Sequence, residues 1–131
     1  KVVRYSRGVE QLSAGGVMTT PFTIEPELLV SQLIDNVLPV HQQTAFLVAQ
    51  DRKLHGVVTL IDLKKLPRER WHRVRVAEVM RPVTPEMFVF RDTLLRSALE
   101  QAKSNEVGMV AVLDPAGQIA GVVMDGRLRS K

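Results

Sequence analysis

The chain has 131 residues, a formal net charge of +4 and no cysteine. That length suits one compact domain or two small interdependent ones, and 45% hydrophobic content supports a core, which at 5% aromatic must be built mainly of Val, Leu, Ile, Ala and Met. The lack of cysteine excludes disulfides, thiolate metal sites and thiol nucleophiles and is compatible with a reducing compartment; no run of about eighteen apolar residues is present to span a membrane, and no signal peptide is visible.

Residues 1–16 read as a lead-in: Lys1 to Arg7 is short and basic, and Ser13-Ala14-Gly15-Gly16 is loop-like. Thr19 to Pro26 is expected to be extended, with Phe22 and Ile24 pointing one way by alternation. Glu25-Pro26-Glu27 reads as a helix start, with proline and acid in the first turn. Leu29, Leu33, Ile34 and Val37 follow at helical spacing, and Pro39 ends the segment. Ala45 to Ala49 is a buried strand, Gln50 to Lys53 a polar hairpin turn without glycine, and Leu54 to Leu60 the partner strand. Ile61 to Leu66 begins a helix that Pro67 breaks.

Pro67 to Val76 joins the halves. Arg68, Arg70, Arg73 and Arg75 make it basic, with His72 among them, and Lys64 and Lys65 lie just before it. A basic stripe can follow a nucleic-acid backbone, but only Trp71 lies within it to stack on a base, and no nucleic-acid motif accompanies it. The reading is a solvated linker that Trp71 pins against the core, with no nucleic-acid partner. In the second half Phe88 to Phe90 is extended. Asp92 is a plausible N-cap for a helix carrying Leu94, Leu95, Ala98, Leu99 and Ala102. Met109 to Leu113 and Gln118 to Met124 are strands joined by the tight turn Asp114-Pro115-Ala116-Gly117.

The order is thus β–α–β–β–α twice, and landmarks repeat with it. Val17-Met18-Thr19-Thr20-Pro21 is echoed by Val79-Met80-Arg81-Pro82, and Gly56-Val57-Val58 by Gly121-Val122-Val123. Sixty-two residues separate the two methionines and sixty-five the two glycines. Two copies are too few for a solenoid, and the expected fold class is α+β, two units packed on a shared core. The predicted division is a lead-in over 1–16, a first repeat over 17–66, a basic linker over 67–76 and a second repeat over 77–131. Met80, Met87, Met109 and Met124 read as core filling. His55 reads as a strand residue rather than a pH switch.

These residues, with Thr59-Leu60-Ile61-Asp62-Leu63 and Asp114 to Val123, resemble a pair of cystathionine-β-synthase (CBS) domains, the arrangement called a Bateman module. The resemblance covers nearly everything from Val17 to Leu128. It implies two tandem CBS repeats related by pseudo-two-fold symmetry. A narrower similarity, carried by Leu63 to Trp71 and Val76 to Met80, is to the CBS pairs of intramembrane zinc metalloproteases of the site-2 protease type, where the module lies on the cytosolic side. The chain begins at Lys1 rather than Met, which points to a piece of a longer protein. The protease's His-Glu-x-x-His motif does not occur, and His41, His55 and His72 fit no ligand spacing. The expectation is no catalytic residue, no metal and no enzyme activity in this piece, a cytoplasmic location and an attached catalytic or transport domain.

The resemblance also implies a ligand. In such modules an adenosine nucleotide is held by a Ser/Thr-x-x-Asp sequence after the glycine-bearing strand, here Thr59 to Asp62. One carboxylate can accept from both ribose hydroxyls, at about 1.5–3 kcal/mol per charge-assisted bond. Thr59 offers its hydroxyl, and nearby helix-start N–H groups favour phosphate. Phe22, Ile24 and Val58 would wall the adenine, with backbone groups near Thr20 to Thr23 reading its edge. AMP, ADP and ATP are the candidate regulatory ligands. Thr59 and Asp62 also have the spacing of a helix cap, and both readings stand at this point.

The second half departs from this pattern. Met124 stands at the Thr59 position and Arg127 at the Asp62 position. Arginine has no acceptor for a ribose hydroxyl. Arg127 is left with a phosphate contact or a surface ion pair, so at most one conventional nucleoside site is expected. Leu47 and Ala111 replace the proline frequent in this strand, and Gln50-Asp51 replaces the usual Asp-Gly turn. A second function class is a structural homodimerisation module, with Leu29, Leu33, Leu95 and Leu99 serving core or interface.

Overall fold

The computed structural model describes residues 12–125. In chain order these form α1 (Ala14–Val17), β1 (Thr23–Ile24), α2 (Val30–Gln32, continued by a π-helical turn over Leu33–Val37), β2 (Ala45–Gln50) and β3 (Lys53–Thr59). Then come α3 (Leu60–Lys64), α4 (Val76–Val79), β4 (Arg81–Pro82), β5 (Phe88–Phe90), α5 (Leu95–Ser104), β6 (Met109–Leu113) and β7 (Ile119–Met124). Contacts group Phe22–Val83 into one unit, and the described residues up to Pro21 with those from Thr84 onward into another. These boundaries fall after the repeated Val-Met landmarks, so each landmark belongs to the unit of the other half.

The first of these units is a four-stranded sheet in the order β1-β2-β3-β4. The apolar run of β2 is buried on both faces and forms the centre. It pairs parallel with β1, Thr23 beside Leu47, and antiparallel with β3, Ala45 beside Thr59. The hairpin turn places Asp51 at φ 54° and Arg52 at φ 64°, so two non-glycine residues carry the left-handed twist such a turn requires. The core gathers Val30, Leu33, Phe46, Val48, Val58, Leu63 and Val76. Trp71 packs against it and donates from Nε1 to the Leu66 carbonyl at 3.2 Å, pinning the linker as expected.

The other unit is a three-stranded sheet, β5-β6-β7, parallel then antiparallel. Its turn is held by Asp114 Oδ1, which accepts from the Ala116 and Gln118 amides at 2.9 Å, with Gly117 at φ 83°. Ala14, Val89, Ala98, Ala102, Val110, Val112 and Val123 form its core, with Leu95 and Leu99 packed on it. Met87 and Met109 are buried as core filling. The fold is mixed α+β, with the expected strand–helix–hairpin order in both halves. The stretch after Asp125, including Arg127 and the expected final helix, lies outside the described residues. Among the described residues no helix is long and apolar enough to cross a membrane.

Two helices start later than predicted, for one shared reason. Val30 N–H donates to Val74 at 2.9 Å, Val76 N–H to Leu28 at 2.8 Å and Ala77 N–H to Pro26 at 3.0 Å. Backbone groups committed to this pairing cannot turn into a helix, so α2 begins at Val30 and not after Glu25. Likewise Leu95 N–H donates to the Leu12 carbonyl at 2.7 Å and Leu94 bridges Ser13, so α5 begins at Leu95 and Asp92 is not its cap. The stretch read as a loop, Ser13 to Gly16, instead opens α1, because Ser13 Oγ accepts from the Gly16 amide at 3.2 Å. Leu33, offered for core or interface, is fully buried.

The repeated landmarks meet within each unit. A Cβ on Gly56 would run into the Arg81 carbonyl and lie 3.2 Å from Met80 Sδ. One on Gly121 would lie 2.6 Å from Met18 Cγ. Gly56→Ala should therefore destabilise the chain by about 1–3 kcal/mol. Gly121→Ala should cost less, since a flexible methionine yields where a backbone carbonyl does not. Urea denaturation of both variants checks the ranking.

Candidate functional site

The end of β3 turns directly into α3, and that corner carries the chemistry. Thr59 is extended, at φ −111° and ψ 159°, and its Oγ1 accepts from the Asp62 amide at 3.1 Å. The same hydroxyl donates to Asp62 Oδ2 at 2.9 Å, and Thr59 N–H donates to Oδ2 at 3.4 Å. The pair thus forms a reciprocal cap on α3.

A third residue completes the cluster. β4 lies antiparallel across β3 with Arg81 beside Val57, which brings the guanidinium to the same carboxylate. Arg81 Nε donates to Oδ2 at 2.9 Å and Nη2 to Oδ1 at 3.4 Å. The Asp62 side chain is 14% exposed and that of Arg81 38%. Burial by itself raises the Asp62 pKa. The hydrogen bond and charge of Arg81, with the two bonds from Thr59, outweigh it and hold the carboxyl below its ordinary 3.8.

The other predicted residues are placed as follows. Phe22 is half-buried, stacked on His41 with ring centroids 3.7 Å apart and planes 13° apart, and edge-on to Phe46. It lines an open groove of about 410 Å³ with Thr23, Ile24, Glu25, Leu28 and Val37. Val58 is fully buried in the core and Ile24 nearly so. Thr20 is exposed and belongs to the other unit, and Arg127 lies outside the described residues. The structure therefore joins Thr59 and Asp62 in one cluster and Phe22 and Ile24 on one groove. Among the described residues no group of three His, Cys, Asp or Glu side chains could hold a metal ion.

Arg81 was missed by reading the sequence. It stood within a recognised landmark, and the usable signal was the pairing of landmarks: once Met80 lies on Gly56, the next residue must reach the end of β3.

No protein-family model and no curated protein matches the chain. Solved structures do. The CBS domain of the bacterial CNNM/CorC family Mg2+ transporter superposes with TM-score 0.78 at 22% identity, over 98% of this chain and 79% of that one. The same domain in complex with ATP gives 0.77 at 23% identity, over 93% and 87%. CBSX2 from Arabidopsis thaliana gives 0.76 at 22% identity, over 91% and 92%, and CBSX2 has also been solved in complex with AMP. The fold is that of a CBS domain pair. At such identities the likeness carries the fold alone, and any ligand has to be argued from the chain's own residues.

The Asp62–Arg81 pair makes stability depend on pH. Because the folded pKa lies below the unfolded one, the contribution is complete above the ordinary carboxylate range and is lost as pH falls through the folded value. Arg81→Met, which keeps the aliphatic stem, should cost about 1 kcal/mol at pH 7, a small figure because Arg81 is partly solvated. The difference from wild type should shrink below about pH 4 in parallel denaturation series.

Proposed function

We propose that this CBS pair is a regulatory module that binds an adenine nucleotide at the β3–α3 corner and modulates an attached effector domain. The observation that carries the reading is the state of Asp62. Its Oδ2 is engaged by Thr59 and Arg81, while Oδ1 accepts one long bond, at 3.4 Å. Oδ1 thus keeps acceptor capacity for ribose hydroxyls. The CNNM/CorC and CBSX2 complexes with ATP and AMP support this class of ligand.

On this reading Asp62 and Thr59 hold the ribose, and Phe22 and Ile24 border the base. Val58 acts from beneath, as core. The module comprises repeats over 17–66 and 77–131 joined by the basic linker over 67–76. The effector is a membrane metalloprotease or another catalytic or transport domain, with the module on the cytoplasmic side. The piece itself binds and does not catalyse.

The test is a melting series with AMP, ADP and ATP. At a hundredfold over Kd, one site adds about 2.7 kcal/mol, a rise of about 10 °C for a domain of this size. Asp62→Asn, which keeps a capping oxygen but no charge, should abolish the rise. No shift in wild type at millimolar nucleotide would remove the reading.

Homodimerisation is the second reading. Phe90 and Leu94 remain 49% and 48% exposed in the unit that contains β5, and a dimer that covered them would remove apolar surface from water. Sedimentation over a range of concentrations should show a dimer; a monomer throughout would exclude it.

A further inference from the structure

We infer that Arg81 makes this site select phosphorylated adenosine over the free nucleoside. The inference rests on the nucleotide reading above and deepens it. The guanidinium closes on both carboxylate oxygens, Nε to Oδ2 at 2.9 Å and Nη2 to Oδ1 at 3.4 Å. The oxygen with spare capacity for ribose is therefore the one that Arg81 Nη2 covers. A sugar that takes both hydroxyl bonds on Oδ1 must push Nη2 aside.

What happens next depends on the ligand's charge. Arg81 cannot lose its proton and has five donors to satisfy. Displaced by a neutral nucleoside, it gives up a charge-assisted bond at a partly buried carboxylate and gains nothing in return. Displaced by a nucleotide, it can turn its fork to the phosphate that arrives with the ribose, a geometry guanidinium suits. The side chain is 38% exposed, so it has room to swing, whereas Thr59, buried and tied into the cap, does not. The carboxylate grips the sugar, and the arginine that guarded it checks for phosphate.

The other unit carries a different residue at this point. Thr19 pairs with Val122 as Arg81 pairs with Val57, and its hydroxyl donates to the Val122 carbonyl at 3.4 Å. Threonine brings no cation, so the phosphate check belongs to the unit that contains Asp62.

The experiment measures Kd for adenosine and for AMP by calorimetry on wild type, Arg81→Met and Arg81→Lys, with melting curves to establish that each variant is folded. Wild type should prefer AMP by at least about tenfold, equivalent to about 1.4 kcal/mol. Arg81→Met should bind adenosine more tightly than wild type and AMP less tightly, collapsing the ratio towards one. Arg81→Lys should restore part of the preference through charge alone. If AMP and adenosine bind but Arg81→Met leaves their ratio unchanged, the selectivity inference is overturned and the nucleotide reading survives. If Arg81→Met weakens both ligands equally, Arg81 only supports the site and the inference again fails. If neither ligand binds any of the three proteins, both readings fall.

Discussion

Each unit is built on a short segment laid across a glycine. At Gly56 there is no space for a Cβ, because the Arg81 carbonyl and the Met80 thioether occupy it; at Gly121 Met18 does the same. The contact lets a two-residue strand dock on β3 where a side chain would hold it off. Once the methionine is seated, register follows. Arg81 falls beside Val57 and Thr19 beside Val122, and these pairs keep the spacings of the landmarks themselves, sixty-two residues upstream and sixty-five downstream. The backbone pairings one step earlier, Leu29 with Arg75 and Leu94 with Ser13, obey the same two spacings. The repeat in the sequence is therefore a repeat of docking contacts, and each landmark docks in the unit built mainly from the other half.

That arrangement explains which parts of the chain were legible. Strands β2 and β6 are short apolar runs that declare themselves by composition, and the turn at Asp114 to Gly117 by its residues. The Thr59–Asp62 pair spans three residues, so its capping spacing was visible as well. The starts of α2 and α5 were not, because each is decided by pairing with a distant segment: residues 26 to 30 against 74 to 77, and Leu94–Leu95 against Leu12–Ser13. Local signals at Glu25-Pro26-Glu27 and Asp92 pointed to helix, and remote hydrogen bonds overrode them. Arg81 is the same case at the site, nineteen positions from its carboxylate. The full burial of Val58 was hidden for a related reason. Alternation along β3 says which face it takes, and burial by α2 and α3 residues makes that face the core.

The two halves share a scaffold and differ in chemistry at one corner. Where the unit containing β3 has Thr59 capping α3 and Arg81 arriving from β4, the other unit has Met124 and Thr19. Methionine can neither cap nor donate to a carboxylate. The repeat thus preserves packing residues at the docking contact and relaxes polar ones at the corner. Packing is used by both halves; the carboxylate cluster is used by one.

On the proposed reading Asp62 serves two duties, and the geometry keeps them on separate oxygens. Oδ2 takes the Thr59 hydroxyl, the Thr59 amide and Arg81 Nε, so it holds the cap together. Among the described residues Oδ1 meets only the long Nη2 bond. On the proposed reading, a ribose that engages Oδ1 leaves the cap of α3 intact, so occupancy need not loosen the helix. The partner that must respond is Arg81. It stands on β4, directly after α4, whose Val76 is buried in the same core and whose first amide donates to Leu28. A ligand that redirects the guanidinium therefore acts first on the segment from α4 to β4, the stretch through which the chain leaves this unit for the next. Any shift passed to an effector is bounded by the difference in ligand affinity between the states with Arg81 on Asp62 and Arg81 released. A carboxylate that both caps a helix and restrains that arginine can couple binding to the rest of the chain without giving up the fold that presents it.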